Sequence, residues 1–353
     1  VKDFDYSKGG IPMKKLAYQP DFEQLRRVLR REKPCRPVLF ELFMNPTVYG
    51  LLTQSQPADD SPLAYQCHVI DAFAAGGYDY ASVPGSDFCF PIKERDTKKT
   101  VSLNDGFVIT DEASFEAYPW QDPDACDYSQ LDAFGAHMPE GMKLMAIGPC
   151  GVLENAIALV GYENLCYMLH EEPELASRVF DKVGSSLLRY YEICAGFDSV
   201  GMLMSNDDWG FNTQTFLSPA HMRQYVFPWH KRIVEAGHAQ GKPVLLHSCG
   251  NMCDVFEDII GNMGFDGKHS YEDAILPVED SYARWGGRIG ILGGIDLDFV
   301  MRSSIEEIRR RCNAMLDITQ ERGGYALGSG NSIPEYIPYE KYRAMIDTAL
   351  ERR

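Results

Sequence analysis

The feature that most constrains this chain is an alternation. Short, apolar, strand-like runs are each followed by a turn and then a helical pattern. The runs are "PVLFELF" (37–43), "YDYASVP" (78–84), "KLMAIGP" (143–149), "VGMLMSN" (200–206), "PVLLHSC" (243–249), "FDGKHSY" (265–271), "IGILGGID" (289–296) and "GYALGSG" (324–330). Between them, residues 173–195 carry apolar residues at helical spacing, and Ser218-Pro219 offers a cap followed by proline at the first helical position. The segment "SSIEEIRRRCNAMLDITQERGG" opens with a capping box, Ser303 with Glu306 or Ser304 with Glu307, and closes on Gly323-Gly324. Eight strands separated by helices predict an α/β fold of the (β/α)8 TIM-barrel type. A doubly wound sheet is the alternative, but it usually has a Gly-rich phosphate turn after its first strand. "FELFMNPTVYG" has none.

Two stretches stand outside the alternation. Residues 1–35, with "DFEQLRRVLRRE" at their core, read as a helical N-terminal extension. Residues 85–140 are too long for a simple connection and rich in Asp, Pro and aromatics, and are expected to cross the barrel mouth. No linker divides residues 36–353, so one barrel domain is expected.

Composition narrows the function. A net charge of −17 repels nucleic acid and anionic membrane surfaces, so neither is expected as a partner. The ten cysteines are scattered, several inside apolar patterns, and read as reduced thiols in a cytoplasmic protein. No apolar run is long enough to cross a bilayer, and "VKDFDYSKGG" lacks the basic-then-apolar order of a leader.

In a barrel of this kind, chemistry sits at the C-terminal ends of the strands. Those ends carry Glu41 and Asn45, Asp87, Cys150, Asn206-Asp207-Asp208, His247 and Cys249, His269 and Glu272, Asp296, and Ser329 with Asn331. The most pointed is "LLHSCGN", where an imidazole and a thiol come directly off an apolar run. Residues two apart on a strand share a face, so His247 and Cys249 can both face the barrel axis. Catalytic zinc takes three protein ligands and keeps a position open. A third ligand would come from another strand end: Asp207, Asp208, Glu41 or Glu272, with the first two favoured and Asp207 taken as the expected ligand. The bland alternative is a hydrogen-bonded pair at a strand end.

Four segments resemble the uroporphyrinogen decarboxylase superfamily: "SNDDWGFNTQTFLSPAHMRQYVFPWHKRI" (205–233), "GKPVLLHSCGN" (241–251), "GGRIGILGGID" (286–296) and "GGYALGSGNSIPEYIPYEKYRAM" (323–345). The likeness runs from about residue 200 to the C-terminus, and more weakly back to about residue 36. The resemblance implies a (β/α)8 barrel and one of two chemistries. One is cofactor-free decarboxylation of uroporphyrinogen. The other is methyl transfer between a corrinoid and a thiol or methylated substrate, usually with zinc. The decarboxylase branch carries an Arg-Gln-Ala-Gly-Arg segment after its first strand, where this chain has Glu41 and no arginine. Its Phe-Ser-Asp aspartate matches Asp87 in "PGSDF", and its last-strand histidine is replaced by Ser329. The methyltransferase branch binds zinc through His-x-Cys, matched by His247 and Cys249, and a last-strand cysteine, where this chain again has Ser329.

The resemblance therefore implies a metal-dependent methyltransferase more than a porphyrin decarboxylase. Zinc would be the cofactor, and a corrinoid carried on a separate protein the partner. Asp87, Asp207 and Asp208 are the expected catalytic residues. Glu41, Asn45, His269, Asp296, Ser329 and Asn331 are the expected substrate contacts. The competing readings are a cofactor-free decarboxylase built on Asp87 and a barrel that binds a small molecule without turnover.

Overall fold

The computed structural model of the chain describes residues 18–92 and 103–353. Seven parallel strands run β1 (Tyr80–Pro84), β2 (Lys143–Ile147), β3 (Val200–Asn206), β4 (Val244–His247), β5 (Gly267–His269), β6 (Gly290–Leu292) and β7 (Tyr325–Ala326). They pair in chain order, each with the next. Each falls inside a run singled out above. Strands covered on both faces tend to near-continuous apolar runs, which makes most of them legible; β5, Gly-Lys-His, is the exception.

The first expected strand, 37–43, has a different status. Its backbone pairs with the β7 side: Phe40 N–H donates to Leu327 O at 2.8 Å, and Leu327 N–H to Val38 O at 2.8 Å. Parallel bridges join Leu39 to Leu327 and Met44 to Ile333. Toward β1 the contact is made by a side chain. The Tyr80 hydroxyl accepts the Glu41 N–H at 2.7 Å and donates to the Glu41 carbonyl at 2.5 Å. A phenol thus bridges this segment to β1, and the curled seven-strand parallel sheet with the segment beside β7 is TIM-barrel-like.

Helices follow the strands. In chain order they are α1 (Phe22–Leu29), α2 (Pro46–Thr53), α3 (Pro62–Gly76), α4 (Glu112–Ala117), α5 (Gln130–His137), α6 (Val152–Val160), α7 (Tyr162–Glu171), α8 (Pro173–Ala195), α9 (Pro219–His221), α10 (Phe227–Ala239), α11 (Val278–Trp285), α12 (Leu297–Arg302), α13 (Ile305–Thr319) and α14 (Tyr339–Leu350). Ser218 caps α9 with Pro219 in its first turn. The capping box of α13 is the Ser304–Glu307 pair: the Ser304 hydroxyl accepts the Glu307 N–H at 3.2 Å, and the Glu307 carboxylate accepts the Ser304 N–H at 2.8 Å.

Helix α1 belongs to the expected N-terminal extension, whose residues 1–17 lie outside those described. It closes the end of the barrel opposite the strand C-termini. A Cβ at Gly201 would lie 2.7 Å from the Phe22 ring, and one at Gly267 would lie 2.8 Å from Leu29. Glycine at these strand starts lets the helix seat. Leu25 and Leu29 are buried there, worth roughly 1.5–3 kcal/mol each.

The described part of the 85–140 excursion lies against α6 and α8. Val108 and Ile109 donate to the Leu159 carbonyl at 2.8 and 2.9 Å. Glu112 and Glu116 of α4 pair with Arg178, and Asp124 pairs with Arg189 at 2.6 Å. Among the described residues, no helix is long and apolar enough to cross a membrane.

Candidate metal centre

Strand register builds the site. Asn206 of β3 lies opposite His247 of β4, and His247 opposite His269 of β5. The ladder continues past the strand ends, with Asp207 N–H donating to His247 O at 2.9 Å and Ser248 N–H to His269 O at 2.8 Å. This sets Asp207-Asp208, His247-Ser248-Cys249 and His269-Ser270 side by side at the barrel mouth.

Three of these side chains converge. One ligand atom each from Asp208, His247 and Cys249 lies within 4.8 Å of the other two. His247 Nε2 is 3.7 Å from Cys249 Sγ and 3.8 Å from Asp208 Oδ1. The same Asp208 oxygen accepts the Cys249 N–H at 2.7 Å, which ties the two loops together. Asn331 donates to the sulfur at 3.2 Å, and the Ser270 hydroxyl lies 3.5 Å from it.

The hydrogen bonds behind His247 decide which nitrogen faces the cluster. His269 Nε2 lies 3.2 Å from the Ser329 carbonyl, which can only accept. His269 is fully buried, with the Phe40 ring 5.2 Å away, so it is neutral and carries its proton on Nε2. Its bare Nδ1 lies 2.9 Å from His247 Nδ1, so His247 must donate there. His247 Nε2 is therefore left as a lone pair beside Cys249 and Asp208. Metal-binding histidines depend on this kind of support through the second ring nitrogen. Burial pulls the His247 imidazole down to about 4, with Lys268 adding to the shift and Asp208 opposing it. His269 is lowered well below the ordinary histidine value by burial and by His247. Cys249 is pushed up to about 12, first by burial and then by the Asp208 charge. The thiol of the metal-free protein thus holds its proton, which binding of a cation would release.

Asp207, the expected third ligand, is instead committed elsewhere. It is fully buried, and its carboxylate accepts Leu153 N–H at 3.0 Å and Glu154 N–H at 2.9 Å, capping α6. His230 Nε2 donates to it at 2.8 Å, and Ser205 donates to His230 Nδ1 at 3.0 Å. A Cβ at residue 151 would lie 2.0 Å from the Asp207 Cβ, so Gly151 makes the close approach. Its neighbour Asp208 faces the cluster.

The remaining expected residues separate into supports and outliers. Glu41 is fully buried and accepts the Ser329 hydroxyl at 2.6 Å. Burial pushes it up to about 8 against the opposing pull of the Ser329 bonds. Asn45 caps α2, accepting Val48 N–H at 3.1 Å and donating to Pro334 O at 3.1 Å. Asp296 caps α12 through Phe299 N–H at 2.9 Å and accepts Asp273 N–H at 2.9 Å. These two polar groups are occupied locally. Asp87 and Cys150 are exposed beyond β1 and β2. Cys253 is exposed in the turn after Cys249. Trp209 is fully buried against His230 and Phe227 and belongs to the core.

Three groups, His230, Lys268 and Glu154, carry no signal in the sequence pattern, and Asn206 carries only its strand-end position. His230 hides in the helical pattern of α10, and Lys268 in the β5 run. Glu154, three residues after Gly151, is pushed up to about 8 by burial and then by Asp207 and Asp208. The Asn206 amide oxygen is buried with no hydrogen-bond partner among the described residues.

The uroporphyrinogen decarboxylase family model matches residues 144–352, a span that holds the whole cluster. The chain belongs to the uroporphyrinogen decarboxylase family. It is 25% identical over 189 residues to a uroporphyrinogen decarboxylase from Anaeromyxobacter sp. (strain Fw109-5), covering 53% of this chain and 51% of that one. It is 27% identical over 192 residues to a uroporphyrinogen decarboxylase from Alkalilimnicola ehrlichii, covering 53% and 49%. The chain thus matches about half the length of these relatives. A methyltransferase from Methanosarcina mazei has the same fold, with a TM-score of 0.66 at 15% identity over 93% of this chain and 97% of that one.

Proposed function

We propose that this member of the uroporphyrinogen decarboxylase family is a metal-dependent methyltransferase. It would move a methyl group between a small methylated substrate, or a thiol, and a corrinoid carried on a separate protein. The observation that carries the reading is the convergence of His247, Cys249 and Asp208 within 4.8 Å. The likeness to the Methanosarcina mazei methyltransferase fits that branch.

The donor set suits zinc: one imidazole lone pair, one thiol and one carboxylate. When bound, the metal supplies Lewis acidity to the oxygen or sulfur that bears or receives the methyl group. The chain's own residues do the rest. His269 holds His247 in the donor tautomer, and Asn331 and Ser270 orient the Cys249 sulfur. A mixed N, S and O set is harder than one with two thiolates, which favours an oxygen-bound methyl group over a thiol.

The test is metal content after purification without chelator. The proposal expects stoichiometric zinc in wild type and in Cys253→Ala, and loss of both metal and methyl-transfer activity in Cys249→Ala. Equal metal in wild type and Cys249→Ala would make the pair structural.

A further inference from the structure

Glu41, at the end of the first apolar run, has no surface exposed, and Ser329, after β7, is equally enclosed. Their side chains meet. Glu41 Oε1 lies 2.6 Å from the Ser329 hydroxyl oxygen, and Glu41 Oε2 accepts the Ser329 N–H at 3.3 Å. The same hydroxyl oxygen lies 2.5 Å from the Asn331 carbonyl. A serine hydroxyl has one proton to give. Given to the carboxylate, it leaves the Asn331 carbonyl facing an oxygen lone pair. Given to the carbonyl, it leaves an ionised carboxylate facing one. Both short contacts are hydrogen bonds together only when Glu41 carries a proton and donates it to Ser329. Oε2 is already occupied by an N–H, which leaves Oε1 to hold that proton.

The surroundings favour the protonated form. Among the described residues, no lysine or arginine pairs with Glu41, and burial is the largest influence on it. The titratable groups around it are Tyr49 of α2, Tyr78 and Tyr80 at β1, and Tyr342 of α14, each held neutral by burial. His269, which donates to the Ser329 carbonyl at 3.2 Å, is neutral as well. A buried carboxylate without a counter-charge is costly, and protonation removes the charge.

The chain of bonds ends at the candidate metal centre. Asn331 Oδ1 accepts the Ser332 N–H at 2.8 Å, which fixes the amide orientation and leaves Nδ2 facing Cys249 Sγ at 3.2 Å. We infer that Glu41 works as a carboxylic acid that donates to the Ser329 hydroxyl, which in turn holds the Asn331 carbonyl and keeps the Asn331 amide on the Cys249 sulfur. Glu41 is a positioning residue, acting through Ser329 and Asn331. Loss of its proton turns the Ser329 O–H toward the carboxylate, and the Asn331 carbonyl loses that donor. An N–H on sulfur favours the thiolate, so the relay readies Cys249 for a cation. This last consequence rests on the metal reading. The relay itself does not, and its test uses metal-free protein.

The full metal-free chain is labelled with 15N at its asparagine side chains, and the Asn331 Nδ2 resonance is identified by its loss in Asn331→Asp. In wild type the resonance should move as pH rises through about 8. In Glu41→Gln, whose amide donates to Ser329 at every pH, it should stay still. A resonance that does not move in wild type, or that moves equally in Glu41→Gln, would overturn the inference; the second result would assign the shift to another group such as Lys268, itself brought down to about 8 by burial. Infrared spectroscopy keeps the question open to test should Glu41→Gln fail to fold. Wild type at neutral pH should show a protonated-carboxyl stretch that shifts in Ser329→Ala, where the acid loses its acceptor. An absent band, or one that Ser329→Ala leaves unmoved, overturns the inference equally. A protein that passes these tests yet binds no zinc keeps the relay and loses only the metal reading.

Discussion

Removing the acceptor behind His247 should weaken metal binding without touching a ligand. In His269→Leu, the His247 Nδ1–H loses the acceptor it now has at 2.9 Å. His247 is only 7% exposed, so water does not readily replace that partner. Two outcomes compete. Either the N–H stays and is orphaned, costing about 1–3 kcal/mol, or the proton moves to Nε2 and blocks the donor lone pair. Both lower zinc affinity, by the 10- to 100-fold typical of such supports, or roughly 1.4–2.7 kcal/mol. His269→Leu also leaves the Ser329 carbonyl without its present donor at 3.2 Å, so some loss of stability accompanies it. His269→Asn separates the effects, because its amide oxygen can take the place of the Nδ1 acceptor. The assay is zinc competition against a chromophoric chelator, paired with 15N NMR of the His247 ring in metal-free protein. Wild-type zinc affinity in His269→Leu, or a His247 ring already protonated on Nε2 in wild type, would refute the argument.

Other perturbations follow from the same geometry. Glu41 is raised from 4.5 to about 8 by burial, so between those values the folded state holds a proton that the unfolded state has lost. Its contribution to stability is complete below 4.5 and fades as pH rises to about 8; chemical denaturation of Glu41→Gln should lack this decline, which is on the order of 1 kcal/mol per pH unit. Asp207→Ala breaks a fully buried pair with His230 and uncaps α6, so thermal denaturation should show a loss of roughly 3–5 kcal/mol. Asp208→Ala should keep most of its stability and lose metal; the reverse pattern would return Asp207 to the ligand set. Uroporphyrinogen should not be decarboxylated at a useful rate, since Glu41 stands where that chemistry needs arginine, and robust coproporphyrinogen formation would contradict this.

Most strands were legible because burial on both faces favours near-continuous apolar runs, whereas β5 buries Lys268 and His269 and is set by its place between β4 and β6. The first run differed because the Tyr80 hydroxyl, not a backbone ladder, bonds to Glu41. His247 and Cys249 were legible because spacing of two on a strand puts both on one face. The choice between Asp207 and Asp208 was not. Both follow β3, and what separates them is a glycine at 151 and an imidazole at 230, each far away in the chain. His269 read as a substrate contact because register across β4 and β5, which places it behind His247, is a property of the folded sheet. Asn45 and Asp296 show the opposite trap: strand-end polar residues that serve as helix caps.

The central claim is that one sulfur, one imidazole and one carboxylate form a metal site. X-ray absorption at the zinc edge of the metal-loaded protein measures that set directly. The account expects a single sulfur scatterer at about 2.3 Å with the remaining shell of nitrogen and oxygen at about 2.0–2.2 Å. The sulfur should vanish in Cys249→Ala and the imidazole signature in His247→Ala. A spectrum with no sulfur, or with two, would contradict it.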